Sequence, residues 1–228
     1  MPETSTYYYN QAIDAVQAGQ LDEAITFTES ALTEDPQDTL SWQLYVKLLT
    51  AAGRTQDAAT ATEKLLALGI SDSEKLMIQA SEQLSSGNID GAISSYQQAA
   101  TESPEDPDIH SSLALALFQK GDKEAAIEAG RKAVGIAPKD SRTNYALGHM
   151  LRLEGNMDEA LEALTRSVEA EDDFMPAVYE QGMVLVEKGQ FEKALVNFEK
   201  FAAAHPEDEN SQKALENIRR ELGRTDTF

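Results

Sequence analysis

Glycine recurs at a fixed interval along this chain of 228 residues. Six glycines lie 34 residues apart, and an alanine follows each of them five residues later. The two series are Gly19, Gly53, Gly87, Gly121, Gly155 and Gly189, and Ala24, Ala58, Ala92, Ala126, Ala160 and Ala194. No insertion interrupts the register, so it predicts one continuous array of repeated units that pack on their neighbours.

The register divides the chain into six blocks, 5–38, 39–72, 73–106, 107–140, 141–174 and 175–208, with glycine at position 15 and alanine at position 20 of each. Every block contains two stretches of helical periodicity, as with Leu113 and Leu117, then Ile127 and Ala133, in block four. Glycine suits the end of the first helix. Proline stands at position 32 of four blocks and cannot continue the second helix. Each block therefore predicts a helical hairpin.

Further positions identify the repeat. Trp42 occupies position 4 of block two, and Gly148 and Gly182 occupy position 8 of blocks five and six. With the alanine and proline series, the blocks resemble the tetratricopeptide repeat pattern W-x₂-L-G-x₂-Y…A-x₃-F…P. The resemblance covers the six blocks and implies an all-α fold, a right-handed α-solenoid of tandem hairpins. We expect about 75–85% helix, no strands, and the six glycines at hairpin turns.

The ends and irregularities of the array carry their own predictions. Residues 209–222 place apolar side chains in one stripe and are expected to form a capping helix, followed by a loose tail at 223–228, within a single domain of residues 1–228. Block two departs from the repeat at Leu65 and Ile70, and block five has Asp172 in place of proline, with Pro176 four residues later. The junctions near 70 and 172 should be the least regular.

Composition limits the function. Acidic residues outnumber basic ones 40 to 19, so neither nucleic acid nor an anionic membrane surface is expected as the main partner. There are no cysteines, and the three histidines, His110, His149 and His205, belong to no catalytic motif. We therefore expect a protein that is not an enzyme and uses no cofactor or metal.

Localisation follows from segments that the sequence lacks. The longest apolar run, Leu113 to Phe118, is too short to span a membrane, and the first 20 residues lack the basic start of a secretory signal. We therefore expect a cytoplasmic protein, although a chain whose export signal had been removed would look the same.

A stripe on the first helix of each block is the candidate binding surface. Positions 2, 5, 9 and 12 point away from the core face, yet they carry aromatic and aliphatic residues. In the tetratricopeptide family this stripe lines a concave groove that holds peptides, and the resemblance implies the same here. The candidate residues, which include Asn10 from position 6, are Tyr9, Asn10, Ile13, Lys47, Met77, Phe118, Arg142, Tyr145, His149, Arg152, Tyr179 and Met183. Alternatively, positions 9 and 12 pack against the next repeat.

Block five combines the stripe with positive charge. Arg142, His149 and Arg152 fall on its face around Tyr145, and Tyr179 occupies the equivalent place in block six. We expect this basic spot to bind a partner segment with acidic and aromatic or aliphatic residues. The alternative is that the bases pair with neighbouring acids such as Glu180 or Glu187.

These patterns favour a scaffold or adaptor that binds an extended or helical segment of another protein in its groove. Two alternatives stay open: an array that self-associates into a structural scaffold, and the binding subunit of a larger enzyme or assembly complex.

Overall fold

The computed structural model describes residues 3–223, so most of the predicted tail lies outside the described residues. This range contains thirteen α-helices and no strand, and 81% of it is helical, as predicted. The helices are α1 Glu3–Gln17, α2 Leu21–Glu34, α3 Thr39–Ala51, α4 Thr55–Ala67, α5 Asp72–Ser85, α6 Ile89–Glu102, α7 Pro107–Lys120, α8 Lys123–Ile136, α9 Ser141–Leu153, α10 Met157–Ala170, α11 Met175–Glu187, α12 Phe191–Ala204 and α13 Glu209–Glu221. None of these helices is long and apolar enough to cross a membrane.

The chain forms two compact units, Met1–Ile78 and Gln79–Phe228, with the boundary inside α5. In the first unit α1 packs on α2, α2 on α3, and α3 on α4. In the second unit each helix from α6 to α13 packs on the next, and α9 also contacts both α7 and α11. The first helices of successive hairpins therefore form one layer in the second unit. The single array over residues 1–228 stays a prediction.

The six glycines of the register all lie at hairpin turns with positive φ, between 68° and 95°, as predicted. Gly121 shows the reason. It ends α7 in the left-handed region, and its N–H donates to the carbonyl oxygens of Leu117 and Phe118, 3.1 and 3.0 Å away. Glycine adopts this conformation without steric cost and so can satisfy the last carbonyls of the helix.

Small residues hold the two helices of a hairpin close together. The alanines at position 20 are buried, and Gly148 and Gly182 at position 8 face bulky side chains of the second helix. A Cβ at Gly148 would lie 2.6 Å from Leu164 Cγ, and one at Gly182 would lie 2.9 Å from Phe198 Cε2. Both distances are shorter than van der Waals contact. The α9–α10 and α11–α12 pairs thus approach more closely than alanine would permit.

The turns between hairpins share a side-chain hydrogen bond that the sequence analysis missed. Where a proline stands at position 32 before α3, α7 or α9, the side chain at position 4 of the next block donates a hydrogen bond to the proline carbonyl oxygen. The pairs are Trp42 to Pro36 (3.0 Å), His110 to Pro104 (2.8 Å) and Asn144 to Pro138 (3.0 Å). Where proline is replaced, before α5 and α11, position 4 is Leu76 or Val178 and has no donor. The hydrogen bond satisfies a turn carbonyl that the helices leave unpaired.

Aspartate at position 34 caps the next helix. The side chains of Asp38, Asp106, Asp140 and Asp208 accept hydrogen bonds from first-turn amides of α3, α7, α9 and α13. Such caps stabilise a helix by about 1 kcal/mol. In block five Phe174 takes this position, and α11 begins without a side-chain cap.

Both junctions that were predicted to be irregular depart from the other turns. Near 70, the residue that follows α4, Leu68, is in the right-handed helical region, and Gly69 comes next at a φ of +73°. The residues that follow α2 and α6 instead have φ of −136° and −133° with ψ of 89° and 73°. Near 172, Glu171 follows α10 in the extended region, with φ of −149° and ψ of 97°, and α11 begins without a side-chain cap.

The predicted capping helix is present as α13. Its Leu215 and Ile218 are buried in a cluster with Leu185 and Phe198 of the last hairpin. Apolar surface that a further repeat would otherwise cover is thereby removed from water.

The close helix approach gives a direct test with a matched control. Gly148→Ala should lower the free energy of unfolding by about 1–3 kcal/mol, because its methyl group would collide with Leu164. Gly135→Ala in α8 meets nothing within 4 Å, and should leave stability unchanged or raise it by up to about 1 kcal/mol. Urea unfolding of both variants measures the difference, and equal stabilities would refute the packing argument.

Candidate functional site

A cleft of about 440 Å³ opens in the second unit between α9, α11 and the turn that joins α12 to α13. Its walls combine aromatic, apolar and polar or acidic side chains. They are Tyr145, Met175, Pro176, Tyr179, Glu180, Phe201, His205, Asp208 and Asn210. Two of the predicted site residues, Tyr145 and Tyr179, therefore face one shared space.

The repeat itself brings these tyrosines together. Both occupy position 5 of a first helix, 34 residues apart, and α9 and α11 lie side by side in one layer. Side chains at equivalent positions of adjacent repeats point in the same direction. Each tyrosine is half-buried, because part of its ring packs against neighbouring side chains while the rest lines the cleft.

Aromatic contacts fix the orientation of Tyr179. Its ring lies edge-on to Phe198, with ring centroids 5.4 Å apart, and tilted by 57° against Phe201 at 4.9 Å. Phe201 in turn contacts His205 at 4.7 Å. Because Phe198 is fully buried against Gly182, the base of this wall belongs to the hairpin core. Tyr179 is thus held in place before any ligand arrives.

Tyr145 is held from two sides. Its ring stacks on His149 of the same helix, with centroids 6.0 Å apart, and stands edge-on to Phe174 at 5.5 Å. Phe174 is the residue that replaces the usual aspartate cap. At the irregular junction near 172, Phe174 therefore leaves α11 without a side-chain cap but packs against the ring of Tyr145.

A largely buried carboxylate that lines the cleft with the tyrosines joins α9 to α11. Glu180 is 6% exposed, and its Oε1 accepts hydrogen bonds from Nδ1 of His149 at 2.5 Å and Nε of Arg152 at 2.7 Å. Nη1 of Arg152 donates to Oε1 of Glu187 at 2.8 Å. A charge-assisted network of this kind positions both helices.

The protonation of the network follows from its geometry. Burial alone would raise the pKa of Glu180, but the hydrogen bonds and positive charges of His149 and Arg152 outweigh it and lower that pKa. Burial opposes the charge on Arg152, whereas Glu180 and Glu187 favour it and raise its pKa. Glu180 and Arg152 are therefore both charged at neutral pH.

This arrangement changes the interpretation of the basic spot. Arg152 has a side chain only 16% exposed and faces two carboxylates, and His149 is hydrogen-bonded to one of them. The alternative that these bases pair with Glu180 and Glu187 is the one the structure displays. Arg142, in contrast, is exposed and forms no ion pair with any residue between 3 and 223.

The tyrosine hydroxyls stay protonated. Burial raises the pKa of Tyr145, and the charge of Glu180 raises it further. For Tyr179, burial again raises the pKa, with additional effects from Asp208 and Glu180. Both tyrosines therefore keep neutral hydroxyl groups in a cleft that the carboxylates of Glu180 and Asp208 also line.

The remaining predicted residues lie elsewhere. In the second unit, Met183 packs half-buried against the last core cluster, and Phe118 is half-buried on α7. In the first unit, Tyr9 and Ile13 on α1 and Met77 on α5 are half-buried, while Asn10 and Lys47 are exposed. None of these seven side chains lines the cleft.

Sequence reasoning missed Phe201, His205 and Asp208, which line the cleft from the second helix and its turn. A signal for Phe201 was present. It stands at position 27, where blocks one, three, four and five have alanine or serine. The same comparison identified Leu65 in block two as a departure and would have identified Phe201 in block six.

Because Arg152 belongs to the buried network and Arg142 does not, substitutions of these two arginines should differ in their effect on stability. Arg152→Met should lower the free energy of unfolding by about 2–4 kcal/mol at pH 7, since it leaves Glu180 with an incomplete set of donors. Arg142→Met should change it by less than about 0.5 kcal/mol. Because the pKa of Glu180 is lowered in the folded state, this stability is present above the ordinary glutamate pKa of 4.5 and is lost as pH falls through the lowered value.

Urea unfolding between pH 3 and pH 7 checks both statements. The difference between wild type and Arg152→Met should shrink as the solution is acidified below about pH 4.5. A difference that stays constant across this range would show that the ion pair does not cause it.

Comparisons with known proteins agree with the repeat assignment. Three models of the family described as tetratricopeptide repeat match residues 15–74, 79–141 and 141–174. No curated protein matches the sequence significantly.

A chain in the crystal structure of the APC/C hetero-tetramer Cut9-Hcn1 is similar in fold. The TM-score is 0.70 at 20% sequence identity, over 95% of this chain and 43% of that chain, so this protein spans less than half the length of the other. With the 34-residue register, the thirteen described helices and the family matches, the chain belongs to the tetratricopeptide repeat family.

Proposed function

We propose that this protein is a non-enzymatic scaffold that binds a segment of another polypeptide through the cleft of α9, α11 and the α12–α13 turn. The observation that carries the proposal is that Tyr145 and Tyr179, each held by two ring contacts, line one open cleft. Tyrosine supplies a large contact area with few torsions to restrict on binding, which makes it suited to protein recognition.

The size and rigidity of the cleft support this role. Its volume of about 440 Å³ accommodates one or two anchor side chains of a peptide. Tyr179 and Tyr145 are each fixed by two ring contacts, so little conformational entropy is lost when a partner binds. A peptide anchor therefore meets a surface that is already ordered.

The partner's acidic contact is assigned to Arg142. This side chain is exposed on α9, three residues before Tyr145, and has no ion pair within residues 3–223. Arg152 and His149 are already engaged by Glu180, so they position α11 and support the cleft. Phe118 and Met183 extend the proposed surface along the same layer of helices, and Tyr9, Asn10, Ile13, Lys47 and Met77 form a proposed surface of the first unit.

The family and the fold support the general role of a protein-interaction scaffold. The similar chain belongs to a hetero-tetramer of the APC/C, which favours, for this protein too, a subunit of a larger assembly. Self-association is the competing role. Within residues 3–223 no three histidine, aspartate or glutamate side chains are grouped to hold a metal ion, and the proposal assigns no catalytic step.

Partner capture with matched variants tests the proposal. The protein is immobilised and exposed to lysate of its own source, and retained proteins are identified by mass spectrometry. The identified partner is then titrated by calorimetry against Tyr145→Ala and Arg142→Glu. Each change should weaken binding by about 1–3 kcal/mol, since tyrosine and arginine anchors dominate interface energies.

The control variants likewise remove a tyrosine and reverse a positive charge, but at exposed residues away from α9 and the cleft. Tyr7 is 59% exposed on α1, and Lys132 is exposed on α8 without an ion pair to any described residue, so Tyr7→Ala and Lys132→Glu should bind as wild type does. Equal affinities for all four variants would show that the cleft is not the binding site. Concentration-dependent growth in light scattering, without a retained partner, would instead favour self-association.

A further inference from the structure

We infer that the cleft receives a basic side chain, lysine or arginine, of the partner segment. This inference rests on the proposed function and goes further, because it specifies the chemistry of the anchor. It departs from the acidic anchor that the sequence suggested for block five.

The charge around the cleft is negative. No lysine or arginine lines it, whereas Glu180 and Asp208 do. The nearest guanidinium, Arg152, and the imidazole of His149 are both engaged by Glu180, whereas Asp208 forms no ion pair with any residue from 3 to 223. A cationic side chain that enters the cleft would therefore meet the Asp208 carboxylate without a positive partner.

Two carboxylate oxygens are available to an incoming donor. Oε1 of Glu180 accepts both hydrogen bonds from α9, and Oε2 accepts none from residues 3–223. Asp208 uses Oδ1 to cap α13 through the amide of Ser211 at 2.6 Å, and its Oδ2 likewise accepts none in that range. Both carboxylates line the cleft together with Tyr179 and Phe201 of the aromatic wall.

The aromatic rings complete a site for a cation. Tyr145, Tyr179 and Phe201 all line the cleft, and the rings of Tyr179 and Phe201 are tilted by 57° to one another. A cation is attracted to the face of an aromatic ring, and an apolar stem packs on the same ring. Lysine and arginine have both parts, a charged head for the carboxylates and an aliphatic stem for the rings.

An acidic anchor fits the cleft less well. It would add a third carboxylate beside Glu180 and Asp208, with only His205 and the Asn210 amide as lining side chains able to donate besides the tyrosine hydroxyls. The first turn of α11 contains Pro176, which has no N–H to offer. The acidic contact with Arg142 lies outside the cleft lining and is compatible with a basic anchor inside it.

A random library of twelve-residue peptides displayed on phage provides the probe. Selection uses the full chain, and selected peptides are resynthesised for fluorescence-polarisation measurements. We expect lysine or arginine to be enriched at one fixed place in the selected sequences. Replacement of that residue by norleucine should weaken binding about tenfold or more, and added salt should reduce the difference.

The protein variants separate charge from fold. Asp208→Asn removes the charge but keeps a good helix cap, and should weaken binding of the selected peptides about fivefold to tenfold. Asp106→Asn is the matched control, because Asp106 caps α7 at the same repeat position away from the cleft. It should leave binding unchanged.

The outcomes distinguish this inference from the proposed function. Peptides that lose affinity on Tyr145→Ala but lack a basic residue, or bind Asp208→Asn as well as wild type, would overturn the basic anchor and leave the scaffold function standing. Failure to select any peptide, or selection of peptides insensitive to Tyr145→Ala, would overturn both.

Discussion

The contact between Gly182 and Phe198 determines how the last hairpin is built. Without a side chain at position 182, α11 lies close enough to α12 for Phe198 to be fully buried between them. The ring of Phe198 packs edge-on against the ring of Tyr179, which in turn contacts the ring of Phe201 in the wall of the cleft. The same close approach at Gly148 and Leu164 sets the position of α9, and with it Tyr145. The proposed binding surface thus depends on small residues in the core of the hairpins that carry it.

Electrostatics adds a second level of organisation. The buried carboxylate of Glu180 gathers His149 and Arg152 and so ties α9 to α11 across the repeat boundary. Breaking such a pair leaves a buried charge without compensation, so the network fixes the relative position of the two helices. Since Glu187 also pairs with Arg152, two of the three bases that the sequence places in this spot are engaged by carboxylates, and only Arg142 has no ion pair with any described residue.

The sequence could predict features that repeat and could not predict those that depend on one pair of side chains. The glycine register located every hairpin turn, because each turn needs a left-handed residue at the same place. The sequence placed Tyr145 and Tyr179 on equivalent faces of neighbouring first helices because repeat position determines the face of a helix, and both side chains line one cleft. Pairing of Arg152 with Glu180 could be considered only as an alternative, since spacing gives no distance between side chains 28 residues apart. Phe174 and Phe201 depart from the repeat pattern. They hold Tyr145 and Tyr179 in place through ring contacts, which sequence spacing does not predict.

The central claim is that a partner segment lies in the cleft formed by repeats five and six. Amide hydrogen exchange of the full chain, measured with and without the captured partner, tests this most directly. Amides exchange more slowly where the partner covers the backbone or restrains its local opening. Protection on binding should be greatest in the peptides that contain Tyr145, Tyr179 and the turn from Phe201 to Asn210. Protection confined to α8 and α10, or to the first unit, with these segments unchanged, would contradict it.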